Sequence, residues 1–181
     1  MTNIVSILRN YPNQINAFAA VSALGVSLLS IVFTILALWW QRKHNFLSLT
    51  PIASILFNDF ENNIVVKVKN TGVGPLIVDT FRATDGKEEK EDLISWMPTL
   101  PENMCWSMFP ETMDGLCIPS GEEAIVLRLE GDANDKKFRG ARDNIRRALS
   151  KLSVTVTYKD IYKRNQEPKT RALSFFGRHF K

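Results

Sequence analysis

Six cationic side chains, Lys136, Arg139, Arg142, Arg146, Arg147 and Lys151, fall within 16 consecutive residues. Guanidinium and ammonium groups at this density bind phosphate oxygens through charge-assisted hydrogen bonds, and arginine can grip two oxygens at once. The intervening apolar residues have helical spacing. Phe138, Ala141, Ile145, Ala148, Leu149 and Leu152 line one side of a helix predicted over residues 134–152, with Asp132 or Asn134 as its N-cap. Lys136, Arg139, Arg146, Arg147 and Lys151 are expected on the opposite side, and with Arg142 they form the candidate ligand-binding set. Such a face suits the phosphates of a nucleotide or nucleic acid, anionic lipid headgroups, or an acidic surface of this chain or its neighbour. No duplex nucleic acid is expected as a partner.

An acidic surface does exist in the sequence. Residues 59–132 hold 15 acids against 6 bases, and residues 133–181 hold 14 bases against 4 acids. Pairing between the two halves is the plainest alternative to a ligand site.

A second group of residues suits association inside a membrane. Asn16, Ala20, Ala23, Ser27, Ser30, Thr34, Ala37 and Gln41 are separated by alternating steps of four and three, the a and d positions of a heptad. In lipid, helices associate by close packing and interhelical hydrogen bonds, which small and hydroxyl-bearing side chains permit. Ala20, Ala23, Ser27, Ser30, Thr34 and Ala37 are therefore the expected oligomerisation seam, and a homo-oligomer is the expected assembly. The alternative is that Ala and Ser are common in membrane helices, with hydroxyls bonding the preceding turn.

The third feature is residues 96–113, which contain two tryptophans, four methionines and a phenylalanine, broken by prolines. The segment is expected to be a long loop, acting either as a lid over a ligand or partner or as a cover for one end of the core. Enzymatic motifs are missing. There is no Walker loop, GxSxG, HExxH or CxxC, and no acid cluster with a suitable base. The two histidines, His44 and His179, stand far apart, so neither a metal nor a cofactor is expected. Cys105 and Cys117 are expected to be reduced core thiols.

These groups must be positioned by two unlike parts. Residues 17–40 form a run of 24 without a charge, about 36 Å long as a helix and enough to cross a hydrocarbon core of about 30 Å. A cleaved signal peptide would have a shorter apolar run behind basic residues, and a buried core helix is seldom so long and uncharged. Trp39 and Trp40 followed by Arg42, Lys43 and His44 resemble an interfacial belt and a positive anchor. Only Arg9 precedes the run, so the positive-inside rule directs the C-terminal side to the cytoplasm of a bacterial inner membrane, with the N-terminus outside. The expected organisation is a short N-terminal segment (1–15), a transmembrane helix (16–41) and a cytoplasmic mainly-β domain (42–181).

Within that domain, strands are predicted at 48–57, with Pro51 at an edge or bulge, and at 64–69, 76–84, 123–130 and 153–159. A final hairpin turns at 163–168 into 170–176. Ile125, Leu127 and Leu129 are expected to face inward. Asn70, Thr71, Gly72, Val73, Gly74 and Pro75 make a turn in which two glycines allow positive φ. An acidic helix is predicted over 87–97, placing Leu93, Trp96 and Met97 on one side. The expected class is α+β: a single transmembrane helix, then a mainly antiparallel β-sandwich or small barrel with one long basic helix.

This layout resembles small membrane-anchored effectors of bacterial anti-phage defence, those of type III CRISPR systems and of cyclic-oligonucleotide operons. The turn at 70–75 and residues 156–162 (VTYKDIY) also resemble segments of bacterial membrane-tethered β-sandwiches. The resemblance implies a cytosolic domain that binds a cyclic oligonucleotide and a membrane part that then assembles and perturbs the bilayer. The competing expectation is a non-signalling, membrane-tethered adaptor or scaffold that recruits a protein partner through the sandwich.

Overall fold

The computed structural model describes residues 12–180, and the chain divides into two compact units between Leu47 and Ser48. The expected N-terminal segment therefore lies mostly outside the described residues. Helix α1 runs from Pro12 to Ser48. Its stretch Asn13–Asn45 is long and apolar enough to cross a membrane, and none of it is buried. A soluble core helix hides its leucines, whereas Leu24, Ile31, Phe33, Leu36 and Trp40 are all exposed.

The second unit is built from two antiparallel sheets around one core. Strands β1 (Ala53–Asp59), β2 (Asn63–Asn70) and β6 (Glu123–Glu130) form one sheet in the order β1-β2-β6. Strands β3 (Leu76–Thr84), β4 (Glu89–Lys90), β7 (Ser153–Lys159) and β8 (Lys169–Ala172) form the other in the order β4-β3-β7-β8, and β5 (Cys117–Ile118) pairs β3 near its start. Alternation drives the assembly. Ile64, Val66 and Val68 from one sheet meet Phe81, Ala83, Val154 and Val156 from the other in a single buried cluster. Helix α2 (Lys136–Leu149) adds Phe138, Ile145 and Leu149 to that cluster.

Two bulges adjust the alternation. In β3 the register passes from Val78 to Thr80 and leaves Asp79 unpaired in the ladder and free to meet Lys159 Nζ at 2.6 Å. In β6 it passes from Leu127 to Ile125, so Val126 is the extra residue. Val126 and Leu127 then both face the core, and Ile125, expected inward, is only half-buried on the other face.

Asn70 joins the start of the domain to the turn at 70–75. It is fully buried, and its Nδ2 donates to Gly74 O (2.8 Å) and Ile118 O (3.0 Å) while Oδ1 accepts from Gly72 N–H (3.0 Å) and Ile52 N–H (3.3 Å). The glycines of this turn have a different reason from the expected one. Neither has positive φ. A Cβ on Gly74 would lie 1.8 Å from Leu49 O, and one on Gly72 would lie 2.4 Å from Ile52 N. They are needed where one backbone runs directly over another.

Three other expectations are corrected. The helix predicted over 87–97 is a short strand, β4, and a single 3₁₀ turn at Ile94–Trp96. Asp92, just before that turn, accepts from Ser95 N–H and Oγ–H, and Pro98 follows, so no longer helix forms. Cys105 and Cys117 are exposed rather than in the core. The last predicted strand is β8 alone, followed by a 3₁₀ segment, Ser174–Phe180, that buries Phe176.

Candidate functional site

Helix α2 is fixed at its start by Asp135, whose carboxylate accepts from Lys137 N–H at 2.8 Å. Asp135, rather than the expected Asp132 or Asn134, is therefore the N-cap. Gly131 lets the chain pass the ring of Phe138, which a Cβ there would strike.

The six predicted cations then separate into two sets. Arg146, expected on the solvent side, and Arg142, expected with it in the ligand-binding set, are buried instead. Arg142 Nη1 donates to Glu61 O at 2.7 Å. Arg146 reaches Asp59 through Nη2 (2.6 Å) and Nε (2.7 Å) and Phe60 O through Nη2 (3.3 Å). Both side chains thus hold the β1–β2 turn against the helix. The Asp59 carboxylate, itself fully enclosed, also meets Arg178 Nη1 at 2.5 Å and His179 Nε2 at 3.1 Å. One acid therefore ties together a hairpin, a helix and the 3₁₀ segment after β8. Arg178 lies over the Phe175 ring at 3.9 Å and Arg171 over Phe57 at 4.2 Å, so cations and aromatic rings interleave across this end of the domain.

Lys136, Arg139, Arg147 and Lys151 are exposed, as expected. Arg147 stacks on Phe180 at 4.7 Å. Lys136 and its neighbour Lys137, which sequence reasoning had passed over, line a groove of about 280 Å³ with Gly140, Ala141 and Asn144. Its other wall is residues 98–101. Neither lysine has an acidic partner among the described residues, so the acidic half of the domain does not neutralise them. Lys137 was legible in principle, since it shares the first turn of the helix with Lys136. The wall at 98–101 was not, because it comes from a loop distant in sequence.

That loop is partly pinned. Met113 is buried, and Met108 pairs with Arg128 of β6. Lys90 Nζ lies 4.6 Å over the Trp96 ring, whose buried Nε1 has no hydrogen-bond partner among the described residues. Beyond the shared wall at 98–100, a wider groove of about 500 Å³ is lined by Ile94, Met97, Met104, Trp106 and Phe109. A basic groove and an apolar one thus adjoin along residues 98–100.

On α1 the seam residues Ala20, Ala23, Ser27, Ser30, Thr34 and Ala37 are all exposed. Their hydroxyls are engaged within the helix: Ser27 Oγ donates to Ala23 O, Ser30 Oγ to Val26 O and Thr34 Oγ1 to Ser30 O, at 2.8, 2.8 and 2.7 Å. Among the described residues no cluster of His, Cys, Asp and Glu could hold a metal.

Searched against models of protein families and against curated proteins, the chain finds no match.

Proposed function

We propose that the chain is a single-pass protein of a bacterial inner membrane whose cytoplasmic β-sandwich binds a phosphate-bearing anionic ligand. The observation that carries this reading is the pair Lys136 and Lys137, unneutralised at the first turn of α2 and facing a groove. The two ammonium groups favour an anion there. The adjoining apolar groove supplies a surface on which a flat base can stack. Cyclic oligonucleotides have both parts and are the ligand class that the resemblance offers. In this reading ligand binding promotes assembly through the small-residue seam of α1, and the assembled helices perturb the bilayer. Arg42, Lys43 and His44 after the apolar run favour the cytoplasmic placement of the domain.

The test is titration of the full-length chain in lipid nanodiscs with a set of cyclic oligoadenylates, and with inorganic phosphate as the simplest anion. Lys136→Glu combined with Lys137→Glu should weaken binding by about 100-fold or more, since each charge-assisted contact is worth about 1.5–3 kcal/mol. Unchanged affinity would move the site away from α2, and no binding by any probe would remove the nucleotide. A tethered, non-enzymatic adaptor is the second reading. It is favoured by Met108 and Phe109, which stand half-exposed beside the apolar groove.

A further inference from the structure

The outer edge of β6 is only half covered. Arg128 N–H donates to Met108 O at 2.8 Å and Arg128 O accepts from Met108 N–H at 3.3 Å, while Glu130 N–H donates to Ser107 Oγ at 3.0 Å. Two residues after Met108 the covering chain reaches Pro110, which has no N–H to offer a ladder, and it leaves the edge.

The uncovered half can be read from the pairing on the other side. Asn70 N–H bonds Glu122 O, and the register pairs Val68 with Ala124 and Val66 with Leu127, continuing that hydrogen-bonded series towards β2. Hydrogen bonding alternates along an antiparallel strand, so the N–H and C=O groups of Glu123 and Ile125 point to the outer edge. Among the described residues no backbone group pairs with them there. Beside them runs a groove of about 310 Å³, walled by Pro110, Met113, Leu116 and Ile118 and with Glu122 and Glu123 among its lining.

We infer that this edge accepts an extended segment of a partner protein as a fourth strand of the β1-β2-β6 sheet. Its alternate apolar side chains would enter the groove and a basic side chain would meet Glu122, since Glu123 already holds Lys67 Nζ at 2.8 Å. Unpaired strand-edge groups call for an extended backbone as the occupant, and the apolar wall calls for side chains repeating every second residue. A second copy of this chain fits poorly. Antiparallel pairing of two β6 edges centred on Ala124, the middle of the uncovered stretch, sets Glu122 against Val126 and supplies it with no cation. This site shares no residue with the Lys136–Lys137 groove and stands whether or not that groove binds phosphate.

The full-length chain in nanodiscs is titrated with three synthetic peptides of about eight residues, a usable strand length. One alternates lysine and valine, one alternates glutamate and valine, and one is the lysine peptide N-methylated at every residue. The lysine peptide should bind saturably, and the other two at least tenfold more weakly. Ile125→Pro removes an outward N–H without touching the β2 ladder and should weaken the lysine peptide by the same factor. Glu122→Lys, a surface change, should shift preference towards the glutamate peptide. Equal binding by the methylated peptide, or no saturable binding by any, overturns the proposal. So does an oligomer that falls apart in Ile125→Pro, because the edge would then belong to a second copy.

Discussion

Arg146 Nη2 and Asp59 Oδ1 meet at 2.6 Å, with the two side chains 5% and 0% exposed. A buried charge deprived of its partner is costly, and Arg146 is the most enclosed of the cations around Asp59. Arg146→Met should therefore destabilise the chain by about 3 kcal/mol, read as a lowered Tm in detergent. Asp59→Asn should do likewise, and the double variant should cost clearly less than the sum. Strict additivity would mean that the two groups are not coupled. Charge reversal at Arg146 accordingly reports on stability, whereas Lys136 and Lys137 are the positions at which the proposed ligand is tested.

Glycine-to-alanine changes should have opposite signs at two places. At Gly74 the new methyl would meet Leu49 O, a backbone atom that cannot give way, so Gly74→Ala should cost about 3 kcal/mol. At Gly140 nothing lies within 4 Å and the residue is inside a helix. Gly140→Ala should stabilise by about 1 kcal/mol in thermal unfolding. A stabilised Gly74→Ala would show that the chain crossing at Leu49 is looser than described.

For the seam of α1, hydroxyls already bonded to the preceding turn leave side-chain size as the dominant factor. Ser27→Ala with Ser30→Ala should keep whatever oligomer the chain forms in lipid. Ser27→Leu with Ser30→Leu should lower it, and the off-seam control Leu28→Ile with Leu29→Ile should not. Mass photometry in nanodiscs separates these outcomes, and an oligomer indifferent to the leucine pair would assign assembly to the soluble domain.

The β3–β4 turn carries a pH signature. Asp85 accepts hydrogen bonds from the backbone N–H groups of Glu88 and Lys87, which hold its carboxyl below its ordinary value. A lowered folded-state value means stability that is present above the ordinary range of about 4 and fades as pH falls through the lowered one. Asp85→Ala should thus lower Tm slightly at neutral pH, with the gap to the parent closing in acid. A gap that widened in acid would contradict that sign.

Much of this architecture is legible in the sequence, and the exceptions share a cause. The charge-free run at 17–40 and the alternation in β2, β3 and β7 are local signals, and each corresponds to an element. Ile125 was misread because a single inserted residue, Val126, reverses the faces of β6, and no local pattern marks an insertion. Arg146 was misread because a charge on a helix reads as solvent-facing. The acid that draws it inward is 87 residues away in sequence. The groove at Lys136 and Lys137 escaped for the same reason, since residues 98–101 complete it from another part of the chain.

The Asp59 junction also sets a timetable. Arg178 donates to the Asp59 carbonyl across 119 residues of chain, and His179 meets the carboxylate across 120. At a synthesis rate of roughly 5–20 residues per second, a nascent chain carries that carboxylate for about 6–24 s before Arg178 is even made. Arg146 arrives earlier, so the acid acquires its cations in two instalments. Throughout the interval the hairpin tip is a ribosome-bound anion without its full complement of partners, and its enclosure is complete only once translation has nearly reached the last residues described.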